Sequence, residues 1–155
     1  ANPAAEGWTV TEVTKDTNRP NGVLLSADQS ILYVAESPRR LDQRRQLRAY
    51  PIRSVGSLGA YTVLHDFGTG RGVDGMCRAA EGLIVATAGY HQRGPGPAIY
   101  VFDAKGLPVS SHPTPADRPT NCTFGDDDLQ TLYFTASGCL FRARTERTGY
   151  LVFPS

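Results

Sequence analysis

The sequence predicts an all-β fold assembled from repeated units. Apolar runs of about four to eight residues, bounded by Gly, Pro, Asn and Asp, recur along the 155 residues, and none keeps the 3.6-residue period of a helix. The 16 Gly and 11 Pro suit a chain of many tight turns; at about one residue in six they stay below the low-complexity range. One short pattern is written three times: Arg19-Pro-Asn-Gly-Val-Leu-Leu-Ser, Gly72-Val-Asp-Gly-Met-Cys-Arg-Ala and Pro119-Thr-Asn-Cys-Thr-Phe-Gly-Asp. Residue-for-residue alignment puts Asn21, Asp74 and Asn121 in register, 53 and 47 residues apart, each ahead of a hydrophobic run. A repeat of that length made of strands and turns is what a propeller blade looks like in sequence. The expected fold is therefore a β-propeller of about three four-stranded blades, half of a six-bladed ring, with residues 1–155 as one domain.

Each element follows from the same pattern. Trp8-Thr-Val-Thr-Glu-Val13 alternates and reads as an edge or outer strand. The first repeat predicts strands at 23–26, 31–36, 46–52 and 60–67, separated by the turn Ala27-Asp-Gln-Ser30, a polar loop over 37–45 and the turn Gly56-Ser-Leu-Gly59. Gly68-Thr-Gly-Arg-Gly72 reads as a flexible crossing to the second repeat, with strands at 76–79, 82–88, 98–103 and 107–112 and a hairpin turn at Ala104-Lys-Gly106. The third repeat predicts three strands only, at 122–125, 131–136 and 139–145. Three blades would leave two open edges, which full closure of a propeller removes, so the chain is expected to work with a partner: a second copy of itself or the missing N-terminal half of a propeller.

Composition narrows the partners. With 16 Lys+Arg against 15 Asp+Glu the net charge is +1, which supplies no global field for nucleic acid or an acidic membrane surface. Arg39, Arg40, Arg44, Arg45 and Arg48 cluster without interleaved aromatics and read as a solvated basic surface. No run approaches the roughly 20 apolar residues of a membrane span. The chain starts without Met and without a signal-peptide pattern, which fits a soluble protein that is either cytoplasmic or exported with its signal removed. Cys77, Cys122 and Cys139 are odd in number, lack ligand-like spacing and read as buried free thiols. Asp126-Asp-Asp128 lacks the alternating ligands of an EF-hand and reads as a turn. His65 and His112 fall on outer strands.

Four motifs in order, Arg19-Pro-Asn-Gly-Val, Val73-Asp-Gly-Met-Cys, Ile99-Tyr-Val-Phe-Asp-Ala-Lys-Gly106 and Pro119-Thr-Asn-Cys-Thr-Phe-Gly125, resemble the C-terminal half of the gluconolactonase family, also called the senescence marker protein or regucalcin family. The resemblance covers nearly the whole chain. It implies a six-bladed propeller with one divalent metal at the top of the channel, most often Ca²⁺ and in some members Zn²⁺, Mn²⁺ or Fe²⁺, and an enzyme that hydrolyses sugar lactones. It implies that Asn21 is a metal ligand and that Asp74 is both a ligand and the proton-transferring residue. Val73 stands where the family usually has Pro. The family's first-blade Glu ligand, in a Gly-Glu-Gly-Pro-like motif, and its substrate-contacting Asn and Arg have no counterpart in this chain.

The chemistry suits these residue types. Hard divalent cations take carboxylate and carboxamide oxygens, and a cation so placed polarises a lactone carbonyl. Asn21-Gly22 and Asp74-Gly75 are also ordinary turn dipeptides, and a plain turn is the competing reading. Asn121, followed by Cys122, suits a channel-lining or water-binding role as well as ligation. His91 and Arg93, in the loop Tyr90-His-Gln-Arg-Gly-Pro-Gly-Pro97, contact a polar substrate if that loop rims the channel; otherwise they belong to a solvated loop. Two functions follow: a metal-dependent lactonase of which this chain supplies part of the site, or a non-catalytic half-propeller that self-associates into a pseudo-six-bladed ring.

Overall fold

The computed structural model describes Gly7 and residues 9–151. Apart from one 3₁₀ turn at Ser54–Gly56, every element is a strand, and no helix among the described residues is long and apolar enough to cross a membrane. The strands are β1 (Pro20–Leu25), β2 (Ile31–Glu36), β3 (Gln46–Pro51), β4 (Thr62–Asp66), β5 (Val73–Arg78), β6 (Ile84–Tyr90), β7 (Arg93–Phe102), β8 (Pro108–Pro113), β9 (Pro119–Gly125), β10 (Thr131–Ala136) and β11 (Cys139–Arg144). They form three antiparallel sheets in chain order, β1-β2-β3-β4, β5-β6-β7-β8 and β9-β10-β11. Each is an up-and-down meander in which strands adjacent in the chain are adjacent in the sheet, the arrangement that local sequence can specify without crossovers.

The middle sheet is covered on both faces. Strand β6 is buried from Ile84 through Gly89, and its alternating side chains serve two cores. Ile84, Ala86 and Ala88 join Tyr33, Leu47, Phe67 and Phe102 in the layer between the first and second sheets. Val85 joins Ile99, Val101, Cys122, Leu132 and Phe134 between the second and third. The outward face of the first sheet carries the cross-strand row Val23, Val34, Arg48 and Val63, where Val23 and Val63 are exposed.

Several boundaries differ from the sequence reading. Residues 9–13 pair with none of the eleven strands, and Val10 and Val13 stay exposed; Trp8 lies outside the described residues. Alternation alone makes no strand; a strand also needs a partner to hydrogen-bond. The innermost strands β1, β5 and β9 each begin three residues earlier than expected, so they include Asn21, Asp74 and Asn121. The basic cluster is not one solvated surface. Arg48 lies on β3 and pairs with buried Glu36 at 3.6 Å, Arg45 is buried, Arg44 binds Asp66 and Arg40 binds Asp42. Of the thiols, Cys122 is buried and lies 3.6 Å from Cys77, but Cys139 opens the outer strand β11 and is exposed. Asp126–Asp128 forms a turn as expected, with Asp128 accepting the Gln130 N–H at 3.0 Å.

Candidate active site at the strand bulges

Asn21, Asp74 and Asn121 sit at or beside a β-bulge on the inner strand of their own sheet. Pro20 faces Glu36 while Val23 faces Val34, so β1 carries one extra residue across Asn21-Gly22. Val73 faces Ala88 while Met76 faces Ala86, which puts the extra residue of β5 across Asp74-Gly75. In β9 the shift falls between Pro119 and Asn121. A bulge bends its strand and re-aims a side chain, and bulges concentrate next to functional sites. Asn21-Gly22 and Asp74-Gly75 are therefore strand residues, which overturns the plain-turn reading.

The glycines are required by close approach. A Cβ on Gly22 would run into the carbonyl of Asp74, and a Cβ on Gly75 would lie 2.7 Å from the Cα of Asn121. The three inner strands thus touch backbone to backbone at the level of the candidate residues. The bulge on β5 needs a local partner, and the buried Thr87 hydroxyl supplies it: Oγ1 accepts the Gly75 N–H and donates to the Gly75 carbonyl, both at 3.1 Å. Ser37 Oγ donates to the Val73 carbonyl at 2.9 Å, tying the end of β2 to the residue before Asp74. Ahead of β1, the carboxylate of Glu36 accepts the N–H groups of Asn18 at 3.1 Å and Arg19 at 2.8 Å, and so fixes the turn that presents Asn21.

Asn21 and Asp74 meet: Asn21 Nδ2 donates to Asp74 Oδ1. On the other carboxylate oxygen, Arg71 Nη2 donates to Asp74 Oδ2 and also to the Pro119 carbonyl, the latter at 3.2 Å. Burial pushes the Asp74 carboxyl above the ordinary carboxylate range, while the Arg71 charge, the Asn21 hydrogen bond and the Arg19 charge pull it down. Asn121 uses its side-chain oxygen locally, accepting the Cys122 N–H at 2.9 Å, and stands against Gly75.

The donor set is hard oxygen, one carboxylate and a neighbouring carboxamide, which in kind suits a divalent cation of the Ca²⁺ type. No group of three or more His, Cys, Asp or Glu lies together among the described residues, and Asn21 and Asp74 by themselves offer two side chains with oxygen donors. The Arg71 guanidinium already engages one Asp74 oxygen, and a cation using that oxygen would have to share it or displace the arginine.

Asp74 opens onto a polar cleft of about 390 Å³ whose lining includes Arg19, Arg39, Arg71, Tyr90 and Arg118. His91 and Gln92 form the two-residue turn between β6 and β7, and Arg93 opens β7 as the partner of Tyr90, so the expected loop is the tip of a hairpin. Neither His91 nor Arg93 lines the cleft; the His91 N–H donates to Asp117 Oδ1 at 2.9 Å. Sequence reasoning missed Arg71, Arg118, Glu36 and Thr87. Only the three-residue spacing of Arg71 from Asp74 was visible in advance, inside a Gly-rich run read as a crossing. A larger groove of about 760 Å³ lies between the second and third sheets, walled by Val85, Ile99, Leu132 and Phe134, and Asp74 does not line it.

Sheets of this form, with oxygen donors presented by bulged inner strands, define an all-β protein of the β-propeller class. Residues 3–138 match the family model described as the SMP-30/Gluconolactonase/LRE-like region, and the chain belongs to that family. It is 33% identical over 141 residues to a gluconolactonase of Zymomonas mobilis, covering 85% of this chain and 36% of that protein. It is 28% identical over 132 residues to the pentonolactonase XacC of Haloferax volcanii, covering 84% and 42%. Among solved structures, a gluconolactonase from Xanthomonas campestris superposes with a TM-score of 0.65 at 28% identity over 83% of this chain and 38% of that one. A calcium-binding regucalcin from Agrobacterium tumefaciens shares the fold, with a TM-score of 0.74 at 22% identity over 92% of this chain and 51% of that one. The chain thus spans about half the length, or less, of the relatives it matches.

Proposed function

We propose that this chain is the C-terminal, three-bladed half of a six-bladed propeller that hydrolyses a sugar lactone, and that Asn21 and Asp74 are its share of the active site. The convergence of these two side chains from two bulged strands carries the reading, and the names of the gluconolactonase and pentonolactonase relatives support the substrate class. Asn21 and Asp74 would hold a divalent cation, Ca²⁺ first among the candidates and Zn²⁺, Mn²⁺ or Fe²⁺ after it. When bound, such a cation supplies Lewis-acid polarisation of a carbonyl oxygen. Asp74 takes the proton from the water that attacks the lactone carbonyl; burial favours its protonated form, and a cation beside it would favour the ionised form and temper its basicity. Asn21 orients that carboxylate through its hydrogen bond to Oδ1. Asn121 borders the site, and His91 and Arg93 stand on the neighbouring hairpin outside the cleft lining, where they would reach only a substrate that extends past it.

The reading includes a partner, either the other half of the propeller or a second copy, because separate open sheets leave edge strands that a closed ring would protect. A self-associated ring without catalysis is the second reading. The two are separated by native mass spectrometry of the purified protein, followed by acid release from D-glucono-1,5-lactone with and without Ca²⁺. Lactone hydrolysis by the assembled protein that disappears in Asp74→Ala is expected. An assembled protein in which Asp74→Ala keeps full metal affinity and full activity would sink the site assignment. A dimer that hydrolyses no lactone would establish the second reading.

A further inference from the structure

We infer that the cleft beside Asp74 is built for a sugar lactone that carries a second, distal oxyanion (a carboxylate, sulfonate or phosphate) and not for a neutral sugar lactone. The inference rests on the lactonase reading and names its substrate class. The chain as a whole is nearly neutral at +1, yet the lining of the 390 Å³ cleft holds five arginines, Arg19, Arg39, Arg45, Arg71 and Arg118, against one acidic residue, Asp74. The charge is concentrated where a ligand would sit.

The five guanidinium groups divide by what they already hold. Arg45 is 8% exposed and spends Nη1 on the carbonyls of Gln43, at 2.7 Å, and Thr69, at 3.2 Å, which makes it a strut of the wall. Arg71 is committed to Asp74 and to the Pro119 carbonyl. That pairing also neutralises the one carboxylate of the cleft, so an incoming anion is not repelled by it. Arg19 and Arg39 are exposed and donate no side-chain hydrogen bond to any described residue. Arg118 has only a loose contact with Asp117, 3.8 Å from Nε to Oδ2.

These three uncommitted arginines come from separate segments: Arg19 before β1, Arg39 in the β2–β3 loop and Arg118 before β9. Arg118 is held at φ 52°, a left-handed conformation that a non-glycine residue adopts at a cost of about 1 kcal/mol or more, with its N–H bound at 2.9 Å to Asp117 Oδ1. Guanidinium groups matched to an oxyanion give short, charge-assisted and often bidentate hydrogen bonds, and a cleft with mostly positive walls focuses the field on the ligand. A volume of about 390 Å³ falls at the small end of ligand pockets and suits a six-carbon sugar acid.

The test is calorimetric titration of the purified chain, in its native assembly, with three probes of equal carbon length: 6-phosphogluconate, gluconate and neutral glucitol. We expect 6-phosphogluconate to bind about ten-fold more tightly than gluconate at low salt, and glucitol more weakly than both. Arg39→Gln and Arg118→Gln, both at exposed positions, should each weaken 6-phosphogluconate roughly two- to five-fold, with the preference shrinking as salt rises. Lys105→Gln, on the remote β7–β8 turn, serves as the control. Equal affinity for 6-phosphogluconate and gluconate would mean that the cleft reads only the carboxylate released by ring opening, and would overturn the inference. So would unchanged affinity in both arginine variants. Failure of the lactonase reading looks different: no lactone of any charge would be hydrolysed while the order of the three affinities stood.

Discussion

The carboxylate of Glu36, at the end of β2, accepts the backbone N–H of Arg19 at 2.8 Å, two residues before Asn21. A single buried side chain, 1% exposed, therefore sets the entry of β1, because it also accepts the N–H of Asn18 and pairs with Arg48. Its negative charge is balanced by two N–H dipoles and one guanidinium, which is what makes its burial tolerable.

Replacing Glu36 with Gln keeps the shape but removes the charge and one acceptor. Unfolding by urea should show a loss of about 1–3 kcal/mol, because a buried N–H or the Arg48 guanidinium is left short of a partner. Glu36→Ala should lose more. Stability equal to the parent in both variants would show that the Asn18–Arg19 turn holds itself.

Gly75→Ala should damage the packing of β5 on β9. The added methyl would sit 2.7 Å from the Cα of Asn121, against backbone that cannot rotate away. The expected outcome is a lower Tm and a less protected Asn121 amide in hydrogen exchange, whereas Ala in place of the exposed Gly138, where nothing lies within 4 Å, should leave that contact unaffected.

Thr87→Val tests the hydroxyl that serves the β5 bulge. Valine fills the same space in a fully buried position but leaves the Gly75 N–H and carbonyl without their partner. A cost of about 1–3 kcal/mol is expected, with Thr87→Ser recovering part of it. A neutral Thr87→Val would mean that the bulge needs no side-chain support.

Asp28 gives the acid limb of stability its shape. Hydrogen bonds from the Ser26 hydroxyl, at 2.7 Å, and from the Ser30 hydroxyl and N–H lower its carboxyl from the ordinary 3.8 to about 2. A lowered folded-state pKa means that the unfolded chain binds the proton more readily, so this contribution is present above about pH 4 and is lost as pH falls toward 2. Asp28→Asn should flatten the fall of Tm between those pH values. An acid limb of the same steepness in the variant would assign it to other carboxylates, with Asp128, also lowered to about 2 beside Arg144, as the next to test.

The strands were legible because each apolar run is short and bounded by turn residues; β2 and β10 have the expected limits. The threefold register of Asn21, Asp74 and Asn121 was legible as well, and it marks the bulges. What the local pattern could not distinguish was a bulge from a turn, since Asn-Gly and Asp-Gly serve both, and one extra strand residue leaves no other trace in composition. Arg71 escaped notice because it lies in a Gly-rich run that reads as a crossing, and Arg118 because the cleft it shares with Asp74 joins positions 44 residues apart in the chain. Arg45 and Arg48 misled for the same reason: their burial depends on partners, Thr69 and Glu36, that adjacency in sequence does not reveal.

Asn21, Asp74 and Asn121 each belong to a different sheet, and each sheet is laced together by its own ladder. The site is consequently a seam. Slippage of one sheet past another by a fraction of an ångström would separate the donors while every ladder survived, so on warming the chain should lose the seam before it loses its β-signal. Conversely, any molecule that joins Asn21 to Asp74 acts as a rivet through two plates otherwise held largely by packing at that level, and its grip is a direct gauge of how well they are seated.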